Sequence, residues 1–301
     1  MSIEAAPDRG SVSATATERM QRVLQLLETR EAMSVIELSQ VFSVSEVTVR
    51  SDLAALARRG LVARIRGGVR PLQRGQSELA FDVRLRVHEN EKRAVARAAA
   101  AMIADGEAVA LDSSTTAYYL AHELRDRREL VVVTNGLLVA AALADAPGVS
   151  VIVPGGILRH AAMSLVGDFA SGVLRATRIG KGFFGARGIS TERGLMDLNP
   201  DEVRIKQEMA EACERVIGIF DSTKWHRTAL LSFVPSPRID AIVTDANAPA
   251  DLVTEWRERN VDVVLAPIDA NVAPLASARE LRRSMRSAHA PEEVTATTQS
   301  L

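Results

Sequence analysis

Cysteine is almost missing from this sequence. Cys213 stands alone, so no intramolecular disulfide is possible, and the chain suits a reducing, cytoplasmic setting. Aromatic residues make up only 4%, too few for the stacking groove that single-stranded nucleic acid requires. No apolar run approaches the roughly 20 residues needed to cross a bilayer, so no membrane partner is expected. Residues 1–9 carry Glu4 and Asp8 around no apolar core, which reads against a secretory signal. The five histidines show no metal-ligand spacing, so no metal and no cofactor is expected. None of them sits in a recognisable pattern with a nucleophile, so no catalytic residue is assigned. An excess of one charge is lacking too: the net charge is −1, and the molecule as a whole is not a polycation.

What is present is 301 residues at 47% hydrophobic content, enough for a sizeable core and two domains. Charge is uneven along them. Between residues 43 and 74 stand Arg50, Arg58, Arg59, Arg64, Arg66, Arg70 and Arg74 against Glu46 and Asp52 alone, a local net charge of +5. A basic module on a near-neutral protein is the electrostatic footprint of DNA binding. At its centre, Ser45 can cap a helix by accepting from an amide one turn in. Val49, Leu53 and Leu56 follow as an apolar stripe. Glu46, Val47, Thr48, Arg50 and Ser51 take the other face, and Gly60 stops the helix.

Around this stretch the chain reads as a helix-turn-helix. Met20, Val23, Leu24 and Leu27 place a first amphipathic helix over 18–30. Ser34 and Glu37 form a capping box that opens a second helix, through Phe42. After the recognition helix, strands over 61–65 and 69–71 flank Arg66-Gly67-Gly68, a hairpin that would serve as a wing. We expect a disordered tail over 1–15, a winged helix-turn-helix over 16–71, a linker over 72–88, an α/β domain over 89–267 and a C-terminal tail over 268–301. In the α/β part, strands over 107–111, 130–133, 149–153, 216–220, 241–243 and 261–265 alternate with helices over 91–104, 116–124, 137–144, 202–213 and 250–259. Such alternation implies a parallel sheet covered on both faces. Cys213, in helical pattern with Met209 and Ala210, reads as a small core residue.

Ligands of parallel sheets bind beyond the carboxyl ends of the strands. Several strands here end in polar groups: Asp112-Ser113-Ser114-Thr115-Thr116, then Thr134-Asn135-Gly136, Gly155-Gly156, and Asp221-Ser222-Thr223-Lys224. The first of these opens a helix, where amides and hydroxyls suit a phosphate. Glu202 and Lys206 lie four apart on one helix, and taken alone they read as a solvated surface ion pair. Taken alone, too, Lys224 reads as an exposed cation and the two glycines as a plain turn. What raises them is recurrence, because a composite sugar-phosphate site needs polar groups at one strand end after another.

These residues resemble a known family. Val44-Ser45-Glu46-Val47-Thr48-Val49-Arg50-Ser51-Asp52-Leu53 is similar to the Val-Ser-x-x-Thr-Ile-Arg-Arg-Asp-Leu of DeoR-family bacterial transcription regulators, and residues 61–69 resemble that family's wing. Ser51 stands where the family has arginine, and Arg66 where it has histidine. From 89 to 267 the chain resembles the family's sensor domain, whose fold is similar to ribose-phosphate isomerases and CoA transferases. There Ser114 replaces a glycine of the Asp-x-Gly-Ser/Thr-Thr loop. Phe183-Phe184-Gly185-Ala186-Arg187-Gly188 keeps a core motif, with Gly180 at a usual aspartate. The resemblance implies a repressor of a carbohydrate operon that is not an enzyme. Its partners would be duplex operator DNA, a phosphorylated sugar or similar small anion, and further copies of itself, as a dimer or tetramer.

Under that reading Ser45, Glu46, Val47, Thr48, Arg50, Ser51, Arg64, Arg66 and Arg70 face DNA. Asp112, Ser113, Ser114, Thr115, Thr116, Asn135, Gly155, Gly156, Glu202, Lys206, Asp221 and Lys224 form the effector site. Two other readings compete. One is an active sugar-phosphate isomerase or transferase fused to a DNA-binding domain, with Asp112, Asp221 or Glu202 as acid and base. The other is a helix-turn-helix used only for protein contact, which the basic wing argues against.

Overall fold

The computed structural model describes residues 16–30, 32–58, 62–71 and 81–269. The expected N-terminal tail, the Gly60 stop, residues 72–80 of the linker and the tail from 270 onward lie outside the described residues. The chain divides into two compact units. One takes in the residues up to 87 together with 160–162, the other 88–159 and 163 onward.

In the first unit, helix α1 (Ala16–Thr29) leads to a short strand β1 (Met33–Ser34), helix α2 (Val35–Phe42) and helix α3 (Glu46–Arg58). Ser34 caps α2 with the full capping box, its hydroxyl accepting from the Glu37 amide while the Glu37 carboxylate accepts from the Ser34 amide. Ser43 ends α2 in the left-handed region at φ 51°, which turns the chain tightly into α3. Strands β2 (Val62–Ile65) and β3 (Gly68–Pro71) form the wing hairpin around Arg66 and Gly67, and β1 pairs with β3. Gly67 has φ +77°, and a Cβ on Gly68 would come within 2.4 Å of the Met33 carbonyl, so both turn glycines are required. Val23, Leu24, Leu27, Leu38, Val49, Leu53, Leu56 and Val69 make one core, which is the apolar stripe that the spacing implied. Arg19 and Asp52 pair inside the unit at 3.0 Å, tying α1 to α3. The span 72–88 was read as a linker. Its last part holds a helix, α4 (Phe81–Arg86), with Phe81 and Leu85 buried one turn apart on one face.

The second unit is α/β. Helix α5 (Glu89–Ala100) precedes β4 (Ala108–Leu111), α6 (Thr115–Glu123), β5 (Leu130–Thr134), α7 (Leu137–Ala142) and β6 (Val149–Ile152). A small hairpin follows, β7 (Ile157–Arg159) with β8 (Ser164–Val166), then α8 (Ser171–Ala176) and β9 (Ile179–Phe184). Strands β10 (Gly188–Ser190) and β11 (Gly194–Asp197) lead to α9 (Pro200–Glu211), β12 (Cys213–Ile219), β13 (Leu231–Val234), β14 (Ala241–Asp245), α10 (Ala250–Glu258) and β15 (Asp262–Ala266). The main sheet has seven parallel strands in the order β15-β14-β12-β9-β4-β5-β6. A three-stranded antiparallel sheet, β10-β11-β13, stands beside it.

The central strand β9 was not expected. Its sequence, Ile179-Gly180-Lys181-Gly182-Phe183-Phe184, breaks strand patterning with two glycines and a lysine. Packing explains one glycine: a Cβ on Gly182 would lie 2.5 Å from the Phe184 ring and 2.6 Å from Cys213 Sγ. Lys181 is anchored between two Glu107 oxygens, at 2.7 and 2.9 Å, and the Met102 carbonyl. Cys213 is buried, as expected, but it begins β12 and does not continue the helix before it. Burial pushes its thiol up to about 12.

Candidate functional site

In the first unit, Ser45 caps α3 as its sequence implies. Its hydroxyl accepts from the Thr48 amide at 3.2 Å and meets the Thr48 hydroxyl at 2.9 Å. Glu46, Val47, Arg50 and Ser51 are exposed on the outer face, and Arg64, Arg66 and Arg70 are exposed on the wing. Arg50 donates to Glu46 at 2.8 Å, an i,i+4 pair open to solvent. Of the nine residues expected at DNA, only Thr48 is partly covered.

In the second unit, the parallel order brings the expected strand ends to one edge of the sheet. Asp112, at the end of β4, is wholly buried. Its carboxylate accepts from the Gly185 amide at 2.9 Å and from the Ser114 amide at 3.1 Å, and it pairs with the Lys206 ammonium at 3.0 Å. Lys206 also donates to Asp197 at 2.7 Å and to the Gly185 carbonyl at 3.0 Å, and it lies 4.8 Å over the Phe233 ring. Burial opposes charge on both partners. The carboxylates of Asp112, Asp197 and Glu202 win for Lys206 and raise its pKa. Lys206 and Arg187 win for Asp197 and hold it down to about 2.

The surface ion pair expected of Glu202 and Lys206 is therefore replaced by two separate buried pairings. Glu202 turns the other way, accepting from Arg159 at 2.7 Å, from Ser113 at 3.2 Å and from Ser164. The i,i+4 spacing put them on one helix face, but the sheet supplied each with a partner of its own. Lys224 is not the free surface cation its sequence suggests either. Its ammonium lies 3.2 Å from Asp221 with its side chain only 18% exposed. Burial works against the Asp221 charge, but Lys224, Lys92 and His88 outweigh it and push its pKa below the usual carboxylate range.

Ser114 fills the place of the family's glycine without strain. At φ −72° its hydroxyl accepts from the Ala117 amide and caps α6. Its bulk is matched by Gly185, where a Cβ would come within 2.4 Å of Ser114 Cβ. Thr115 and Thr116 are buried in the first turn of α6. Asn135 follows β5, only 1% exposed. Its amide donates to the Leu165 carbonyl at 3.3 Å, while its Oδ1 is buried with no hydrogen-bond partner among the described residues. Gly155 and Gly156 lead into β7. Gly156 has φ +137°, and a Cβ there would meet the Val166 carbonyl at 2.5 Å, so its reason is close backbone approach.

Sequence reasoning missed Lys92, Arg159 and Asp197. Lys92 sits in a helix that the sequence placed, whereas Arg159 and Asp197 sit in short strands, β7 and β11, that it did not, and no spacing ties any of the three to the strand ends. A cavity of about 560 Å³ lies elsewhere, where β9 and β12 begin, lined in part by Arg175, Arg178, Glu208 and Glu214. It contains none of the expected residues.

Comparison with known proteins bears on both units. Residues 19–74 match the DeoR-like helix-turn-helix domain, and residues 87–246 match the DeoR C-terminal sensor domain. An Escherichia coli O157:H7 protein named for transcriptional repression of the aga operon is 35% identical over 251 residues, covering 83% of this chain and 93% of that protein. The HTH-type transcriptional regulator GolR of Listeria innocua is 30% identical over 249 residues, 83% of this chain and 98% of that one. The glycerol-3-phosphate regulon repressor of Escherichia coli K12 is 29% identical over the same length, 83% of this chain and 98% of that protein. Among solved structures, a ribose 5-phosphate isomerase from Methanocaldococcus jannaschii covers 46% of this chain and 55% of its own, at 14% identity and a TM-score of 0.36.

Proposed function

The chain belongs to the DeoR family of DNA-binding transcriptional regulators, and from that premise we propose that it represses a carbohydrate-metabolism operon. A phosphorylated sugar or related metabolite relieves the repression. The DNA-binding part spans 16–71 and the sensing part 89–267, and the protein works in the cytoplasm as a homo-oligomer, a dimer or tetramer. Glu46, Val47, Thr48, Arg50 and Ser51 face bases from the end of α3 that enters the major groove. Ser45, Arg64, Arg66 and Arg70 hold phosphates, which set register without reading sequence.

The effector lies at the strand ends. Asp112, Glu202 and Lys206 shape the pocket through their mutual pairings. Ser113, Ser114, Thr115, Thr116, Gly155 and Gly156 supply its backbone and hydroxyl rim. Asp221 positions Lys224 for an anionic group. One observation carries this reading: the Asn135 Oδ1 has no partner among the described residues. A buried acceptor left in that state costs about 1–3 kcal/mol, which a hydroxyl of the effector offsets. The same geometry weighs against turnover. Asp112, Glu202 and Asp221 are each engaged by a cation, so each is committed to a pairing within the protein.

Release requires the effector to prefer the form that does not hold DNA. The test is duplex binding by the full chain across a salt series, with and without each of a panel of sugar phosphates. Binding should weaken steeply with salt, and one sugar phosphate should weaken it further while raising the melting temperature. Lys224→Ala should bind duplex like the parent and lose the sugar-phosphate response. A retained response would remove Lys224 from the site.

A further inference from the structure

Val47 is the most exposed large apolar residue among those described, at 77%, and it lies in the first turn of α3. Its neighbours are already occupied. Glu46 and Arg50 hold one another at 2.8 Å, and the Thr48 hydroxyl is shared with Ser45 at 2.9 Å. The inward face of the helix is filled by Val49, Leu53 and Leu56, which are buried in the core. Val47 therefore contributes nothing to that core, and its two methyl groups project into solvent from the turn that approaches base edges.

In the major groove a thymine presents a 5-methyl group, and an apolar side chain is its complement. We propose that Val47 is a specificity-determining residue that reads a thymine methyl in each operator half-site. This rests on the DNA-binding reading above and deepens it by naming the base chemistry recognised. Burying a methyl against Val47 removes apolar surface of both partners from water, whereas cytosine offers only a hydrogen at the same place.

The experiment begins with the full-length protein and a pool of random-sequence duplexes, from which bound sequences are enriched. In an enriched duplex each thymine is then replaced singly by deoxyuracil, which deletes only the 5-methyl. For the parent, one thymine position per half-site should lose affinity by about four-fold, the weight of one buried methyl. In Val47→Ser that position should become indifferent to the replacement, while the salt dependence of binding stays as in the parent. Because Val47 touches no core, the variant should melt at the parent's temperature. If no thymine is sensitive, or if Val47→Ser keeps the same sensitivity, the inference is overturned while the DNA-binding reading stands. Failure to enrich any duplex overturns both.

Discussion

Lys206 shows how much a single residue can hold in this protein. Its ammonium, buried with the carboxylates of Asp112 and Asp197, is the shared counter-ion of both. A buried charge is offset only while its partner is present; removing one partner leaves the other uncompensated, at about 3–5 kcal/mol. Lys206→Met should therefore lower stability by about that amount in a urea titration. The sign of its pH dependence follows from the same geometry. In the parent, Lys206 and Arg187 depress Asp197 to about 2, so its stabilisation is present above the ordinary carboxylate range and is lost only as pH falls through about 2. Without Lys206, burial is the larger influence and favours protonation. The deficit of the variant should then narrow as pH falls into the carboxylate range. A deficit constant with pH would assign the loss to packing over Phe233 instead.

Strand β9 is the element on which the second unit depends, since it joins β12 to β4 at the centre of the sheet. Its two glycines differ in consequence. At Gly182 a Cβ would press on Phe184 and Cys213 at 2.5 and 2.6 Å, both of them buried side chains. Overpacking of this kind costs about 1–3 kcal/mol, and Gly182→Ala should lower the thermal midpoint accordingly. At Gly180 the nearest atom would be the Ala108 carbonyl at 3.6 Å, an ordinary contact, so Gly180→Ala should change stability by no more than about 0.5 kcal/mol. Equal losses at the two positions would mean that strand propensity, not the Phe184 contact, sets the requirement. The family's aspartate at position 180 is thus absent without a packing penalty.

Over the whole molecule, charge is divided unevenly: a net −1 conceals the basic stretch around α3 and the wing, and buried ions in the second unit compensate one another. One titrating group breaks that compensation. His122, meeting the Tyr118 ring edge to face at 4.7 Å with its Nε2 buried, is held neutral by burial and then by Arg125 and Arg93, which bring its pKa from 6.5 to about 4. The unfolded chain takes up that proton first. The stability His122 contributes is therefore complete above 6.5, falls as pH drops from there, and is lost once pH passes about 4. His122→Phe keeps a ring against Tyr118 and removes the proton. Thermal unfolding followed from pH 7 to 4 should fall less steeply in the variant, and parallel curves would exclude His122 as a source of the slope.

What could be read from the chain alone was local. Helix caps at Ser34 and Ser45, the apolar stripes of α1 and α3, the Gly67-Gly68 turn and the polar strand ends each depend on residues a few positions apart. Periodicity and capping chemistry express such features directly. Membership of the DeoR family, and with it DNA binding, was legible for the same reason, since its motifs are short runs. The tertiary structure decided which strands are neighbours, and hence which charges meet. Glu202 finds Ser113 from 89 positions away, and Asp112 finds Lys206 across a sheet whose middle strand has no strand-like sequence. Burial then turned residues that look like surface ions into paired interior groups, because inside a protein a charge is held only where an opposite charge or a hydrogen bond from a distant part of the chain meets it.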